Sequence, residues 1–60
     1  MARVTFYMSE GDLAHNIPLY ELTLSRTSAE EMLENSGFIP MYPDTWEQFD
    51  DGTIAIVEEV

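Results

Sequence analysis

The residues able to do chemistry in this chain are almost all carboxylates. Glu30, Glu31 and Glu34 crowd one short stretch, T-S-A-E-E-M-L-E-N-S-G from Thr27 to Gly37, with no lysine among them. Paired carboxylates can work as general acid and base, but twelve Asp and Glu in 60 residues make chance pairs unavoidable. His15 with Glu10 and Asp12 matches no standard ligand spacing and falls in a stretch that reads as a loop. Asp50-Asp51-Gly52-Thr53 starts like a calcium loop, but its acids are adjacent rather than alternating and no terminal Glu follows at the required distance. A turn accounts for it better. No metal, cofactor or catalytic residue is therefore expected. A small-molecule site of about 300 Å³ or more is also more than so small a core can spare, and the chain is read as non-catalytic.

Binding chemistry remains. Glu30 and Glu34 are i, i+4 neighbours of like charge, which costs a helix a few tenths of a kcal/mol. A helix shaped by solubility alone more often mixes signs. The functional reading is a carboxylate row that meets Arg and Lys of a partner; the plain one is a solvated face. In Y-P-D-T-W-E, acids Asp44 and Glu47 flank Tyr42 and Trp46, and aromatic anchors beside acids suit a basic groove. Core packing is the alternative for Trp46. Tyr7, Tyr20, Tyr42 and Trp46 are not expected to fit one small core together.

Those side chains must be positioned by one domain spanning residues 1–60. A chain of this length buries only about 60% of its unfolded surface, and with no cysteine it has neither disulfides nor thiolate zinc to help. Charge is the outlier: twelve acids against two arginines give −10. A folded radius of gyration of roughly 10 Å means a diameter of about 27 Å. Duplex DNA carries roughly 16 charges over that length, so the protein approaches DNA's linear charge density within a factor of two. Direct binding to nucleic acid or to an anionic membrane is disfavoured, and encounter with a basic protein is favoured. No apolar run reaches the ~20 residues of a membrane span, and no signal-peptide pattern opens the sequence. Lack of cysteine fits a reducing cytoplasm.

Period-two alternation predicts a strand over 2–8, with Val4, Phe6 and Met8 on one face and Arg3, Thr5 and Tyr7 on the other. Residues 9–17 read as a loop around Gly11. A second strand is expected over 18–25, antiparallel to the first. Thr27 or Ser28 should cap a helix whose apolar stripe is Ala29, Met32 and Leu33, with its glutamates near the favourable N-terminus. Gly37 is placed for a left-handed stop, and Phe38 for the contact that follows. Pro40 and Pro43 restrict 38–43 to an extended connector laying Phe38, Ile39 and Met41 on the core. Residues 44–49 fit a helical turn or a strand, with the strand preferred because Asp51-Gly52 signals a type I′ hairpin before the strand 53–58. Apolar residues on both faces of that last strand mark it as interior. The sum is an α+β fold, ββαβ or ββαββ. Its antiparallel or mixed sheet has three to four strands, with one helix packed on one face.

In size, charge and economy of fold, the whole chain resembles the small acidic proteins with which bacterial viruses block host nucleic-acid enzymes: glycosylase inhibitors, restriction inhibitors and anti-CRISPR proteins. The resemblance rests on no motif. It implies a non-catalytic inhibitor in the host cytoplasm, occupying the nucleic-acid surface of a basic protein. Glu30, Glu31, Glu34, Glu47, Asp50 and Asp51 would replace phosphates, Asp44 would add to them, and Tyr42 or Trp46 would fill an apolar pocket. The alternative is a small homodimeric accessory protein, paired through a strand edge, whose acidity serves solubility.

Overall fold

The computed structural model describes residues 1–42 and 44–60, with Tyr42 described in its backbone alone. The element order is β1 (Ala2–Tyr7), α1 (Glu10–Ala14), β2 (Tyr20–Leu24), α2 (Arg26–Asn35), β3 (Ile39–Tyr42), β4 (Thr45–Glu47) and β5 (Ile54–Glu59). The five strands form one antiparallel sheet in the order β2-β1-β5-β4-β3. The sheet thus exceeds the expected three to four strands, and a second helix joins the expected one. The radius of gyration is 10.5 Å and the longest extent 27 Å, as the chain length implies.

β5 is central, between β1 and β4, which explains its two apolar faces. Register fixes what each face carries. Val4 opposes Val57 and Phe6 opposes Ala55 on one face; Thr5 opposes Ile56 and Tyr7 opposes Ile54 on the other. α2 covers the first face. Ala29 and Leu33 are fully buried there with Val4, Phe38, Trp46 and Val57, and Met32 packs at the margin. Phe6 ties this core to β2 and to Phe38, stacking on Tyr20 at 4.6 Å and meeting Phe38 edge-on at 5.9 Å.

α2 starts earlier than the capping pattern suggested. Ser25 is the N-cap, its hydroxyl accepting from the Ser28 N–H at 3.2 Å, so Thr27 and Ser28 lie inside the first turn. The competing S/T-x-x-E signals were misleading because Ser25 can make the same bond to N3 one turn earlier. The far end is a Schellman stop. Gly37, at φ 85°, donates to the Glu34 carbonyl, and Phe38 donates to that of Leu33. Among the described residues, a Cβ on Gly37 would meet only the Gln48 side chain, at 3.6 Å, so the backbone conformation sets the cost of a substitution. Gly37→Ala should cost about 1–2 kcal/mol and lower Tm by about 8–16 °C, as thermal denaturation would show.

The stretch 9–17 is not a plain loop. Ser9 caps α1 by accepting from the Asp12 N–H at 3.2 Å, and Glu10 and Asp12 suit its first turn. Asn16, at φ 56°, ends it with the same pair of bonds that Gly37 makes: Asn16 donates to Leu13, and Ile17 to Asp12. Residues 39–42 form an edge strand rather than a connector, with an irregular register between Pro40 and Tyr42. Phe38 is buried, but Ile39 and Met41 are 44% and 45% exposed instead of facing the core. At the edge only one side of each residue meets a neighbouring strand. The expectation for Pro43 lies outside the described residues. Residues 45–47 are strand, as preferred, but the turn after them is longer than type I′. Gln48 donates to the Thr53 carbonyl and accepts from Gly52, and of Asp51 and Gly52 only Gly52 has positive φ (77°).

Candidate partner-binding surface

The sheet register divides the carboxylates between two ends. At one end Ala2 faces Leu24 and Glu59; at the other Tyr7 faces Ile54, which faces Glu47. Both arginines serve the Ala2 end. Arg3 lies 3.7 Å from Glu58, and Arg26 reaches Glu30 (3.7 Å), Asp44 (3.5 Å) and Glu59 (3.9 Å). These pairs are exposed and contribute little each, but they place the positive charge.

The Tyr7 end carries Glu10 and Asp12 on α1, Glu47 at the end of β4, and Asp50 and Asp51 in the turn before β5. α2 runs toward the same end, where the Gln48 amide donates to the Ser36 carbonyl at 2.9 Å, so Glu34 belongs to this group too. Among the described residues, none of these carboxylates pairs with a cation within 4.0 Å.

α2 adds a second asymmetry. Because the helix begins at Arg26, its first turn carries a cation and no acid, and Glu34 falls in the last turn. The expectation that the glutamates favour the helix dipole is reversed: a positive charge sits at the positive end and a negative one at the negative end, each unfavourable by about 0.3–1 kcal/mol. Arg26 also relieves Glu30 at i, i+4, so the row Glu30, Glu31, Glu34 is not uniformly unrelieved. Glu31 points outward from α2 and is exposed.

Of the predicted site residues, then, Glu34, Glu47, Asp50 and Asp51 share one end. Glu30 and Asp44 are drawn to Arg26 at the other. Trp46 is only 7% exposed, in the core under α2, and presents no indole to a partner. Its place opposite Ala55 on the helix-covered face explains this. Tyr7 is likewise buried, whereas Tyr20 stays half open. The Tyr42 side chain lies outside the described residues. Sequence reasoning left Glu10 and Asp12 out of this candidate group. The Ser9-x-x-Asp12 cap, which could have flagged them, was hidden by Gly11.

An open groove of about 520 Å³ runs at this end between α1 and the second face of the sheet. Its floor is Leu13, Met41 and Ile54, and Glu10 and Glu47 stand on it. A concavity of this size was not expected, because α1, which forms one wall, was not. The chemistry suits a Lys or Arg side chain, whose methylenes can lie on apolar surface while its head meets carboxylates. His15 is exposed and caps α1 through its backbone. Among the described residues, no three His, Asp or Glu group as metal ligands do, and no helix is long and apolar enough to cross a membrane.

Thr53 holds the Asp51 carboxyl below its ordinary 3.8, first through its side chain and then through its backbone N–H, which donates to Oδ1 at 2.9 Å. The ionised form is thus favoured in the folded turn. The contribution is complete above pH 3.8 and is lost as pH falls through the lower folded value. The Thr53 amide resonance should move with a midpoint below 3.8 in the native protein. In Asp51→Asn, which keeps an acceptor but cannot ionise, that movement should be absent.

The chain matches no protein-family model, no curated protein and no solved structure.

Proposed function

We propose that this chain is a non-catalytic inhibitor that binds a basic nucleic-acid-binding protein in the cytoplasm and occupies the surface where a strand would lie. What supports the reading is the separation of charge. Both arginines gather acids at the Ala2 end, while Glu10, Asp12, Glu34, Glu47, Asp50 and Asp51 stand unopposed at the Tyr7 end. Glu34 does so against its own helix dipole. A local rule broken without structural gain is characteristic of functional sites, and solubility alone asks only for charge, not for its concentration at one end. The carboxylates stand in for phosphates, and the α1 groove takes one basic side chain of the partner.

The test is competition. The immobilised chain should capture purified nucleases or glycosylases that have basic clefts at low salt, and duplex DNA should release them. Retention of an enzyme that still binds its DNA in the complex would reject the mimic reading. Glu34→Lys gives an independent check. It should stabilise the fold by about 0.3–1 kcal/mol, read by urea denaturation, while weakening capture.

A further inference from the structure

We propose that β2 is the seam of a homodimer, in which a second copy adds its own β2 antiparallel to this one with the two-fold axis at Leu22. This goes beyond the mimic reading and does not depend on it. The two edges of the sheet are treated differently. β3 carries Pro40 and a register irregularity, both devices that prevent strand addition. β2 has neither: it pairs regularly with β1 from Tyr20 to Leu24, and among its residues Y-E-L-T-L there is no proline or lysine. Its outer side is open, with Tyr20 52% and Leu22 39% exposed.

The residues of β2 are self-complementary about Leu22. On the helix-covered face, Leu22 would meet Leu22 of the second copy and Tyr20 would meet Leu24. On the other face, Glu21 would meet Thr23. Centring on Glu21 instead would oppose two carboxylates, and centring on Thr23 would set Tyr20 against Arg26. Arg3 opposes Thr23 within the monomer, so Glu21 of the second copy joins the same cross-strand row as Arg3. Opposite charges then approach twice across the seam, once on each side of the axis.

Charge also selects this edge. The flank of α2 that turns toward β2 carries Ser28, Met32 and Asn35, at helical spacing from Met32, which lines an uncharged groove of about 250 Å³ with Leu19 and Tyr20. Arg26 and Glu30 lie on the other flank, toward Asp44 and Glu59. In a chain of charge −10, β2 itself carries a single carboxylate, Glu21, which the dimer sets in the row of Arg3. The residual repulsion between copies is long-range, so added salt should tighten the dimer, opposite to its effect on a basic partner.

The absence of cysteine makes the test clean. Opposed residues of an antiparallel pair have Cα atoms about 4.5–5.5 Å apart, within disulfide range. Under mild oxidation Leu22→Cys should cross-link at least tenfold faster than Ile39→Cys, which sits on the opposite edge. Native protein should sediment at twice 6.9 kDa in high salt, and folded Leu22→Glu, judged by circular dichroism, at 6.9 kDa. Equal cross-linking rates for the two cysteine variants, or a native chain that stays monomeric at every concentration and salt, would overturn the proposal.

Discussion

Leu33→Ala should destabilise the fold by about 2–5 kcal/mol. Leu33 is fully buried, and its side chain joins α2 to Val4, Phe38 and Trp46. The substitution removes the transfer energy of three carbons and leaves a cavity that the antiparallel sheet cannot close, because Ala2, Ala29 and Ala55 already bring the backbones near. Sixty residues at about 0.05–0.15 kcal/mol each give a total of roughly 3–9 kcal/mol, so at mid-range this one change removes about half of it. The expected drop in Tm is about 16–40 °C. Ile39→Ala, a truncation of the same size on the exposed edge strand β3, should cost less than about 1 kcal/mol. Urea denaturation of the two variants side by side would show the contrast. Similar losses for both would mean that the core is not where α2 meets β1 and β5.

The second large effect concerns charge placement. Converting Glu10, Glu34, Glu47 and Asp50 together to their amides should weaken binding to a basic nucleic-acid enzyme by about 2–4 kcal/mol, roughly 30- to 800-fold. Converting Glu30, Asp44, Glu58 and Glu59 removes the same net charge at the Ala2 end. It should change binding by less than about threefold, since those groups already answer to Arg3 and Arg26. Calorimetry against one enzyme would measure both. Equal losses would mean that total charge matters and its position does not. Binding of the native chain should fall steeply with salt, as phosphate contacts do.

The parts of this fold that could be read from sequence are those whose signal is local. Alternation in 2–8 and 53–58 gave β1 and β5, and the two apolar faces of Ile54, Ala55, Ile56 and Val57 placed β5 inside the sheet. The Ala29-Met32-Leu33 stripe and Gly37 gave the packed face and the end of α2. What escaped were elements too short to show a period. α1 spans Glu10–Ala14 with a glycine in it and one substantial apolar residue, and β3 is an edge strand in which proline is tolerated.

The acidic surface was half legible for the same reason. Asp50, Asp51 and Glu47 could be grouped by their nearness in sequence. Glu10 and Asp12 join them only through α1, and Glu30 and Asp44 leave them only because Arg26 spans from α2 to the β3–β4 turn and the end of β5. Trp46 was drawn to the surface by its acidic neighbours, yet its face of β4 is decided by register with Ala55. Neither a long-range ion pair nor a strand register leaves a mark within the few residues around it.

Whether the Tyr7 end is the binding surface can be read directly by titrating an arginine-rich peptide into isotope-labelled protein at low salt and following the backbone amide resonances. The amides of Glu10, Asp12, Glu34, Glu47, Asp50 and Asp51 should shift together and saturate with one affinity, while those of Glu30, Asp44, Glu58 and Glu59 stay in place. Shifts spread evenly over all the acids, or gathered around Arg26, would contradict a binding surface at that end.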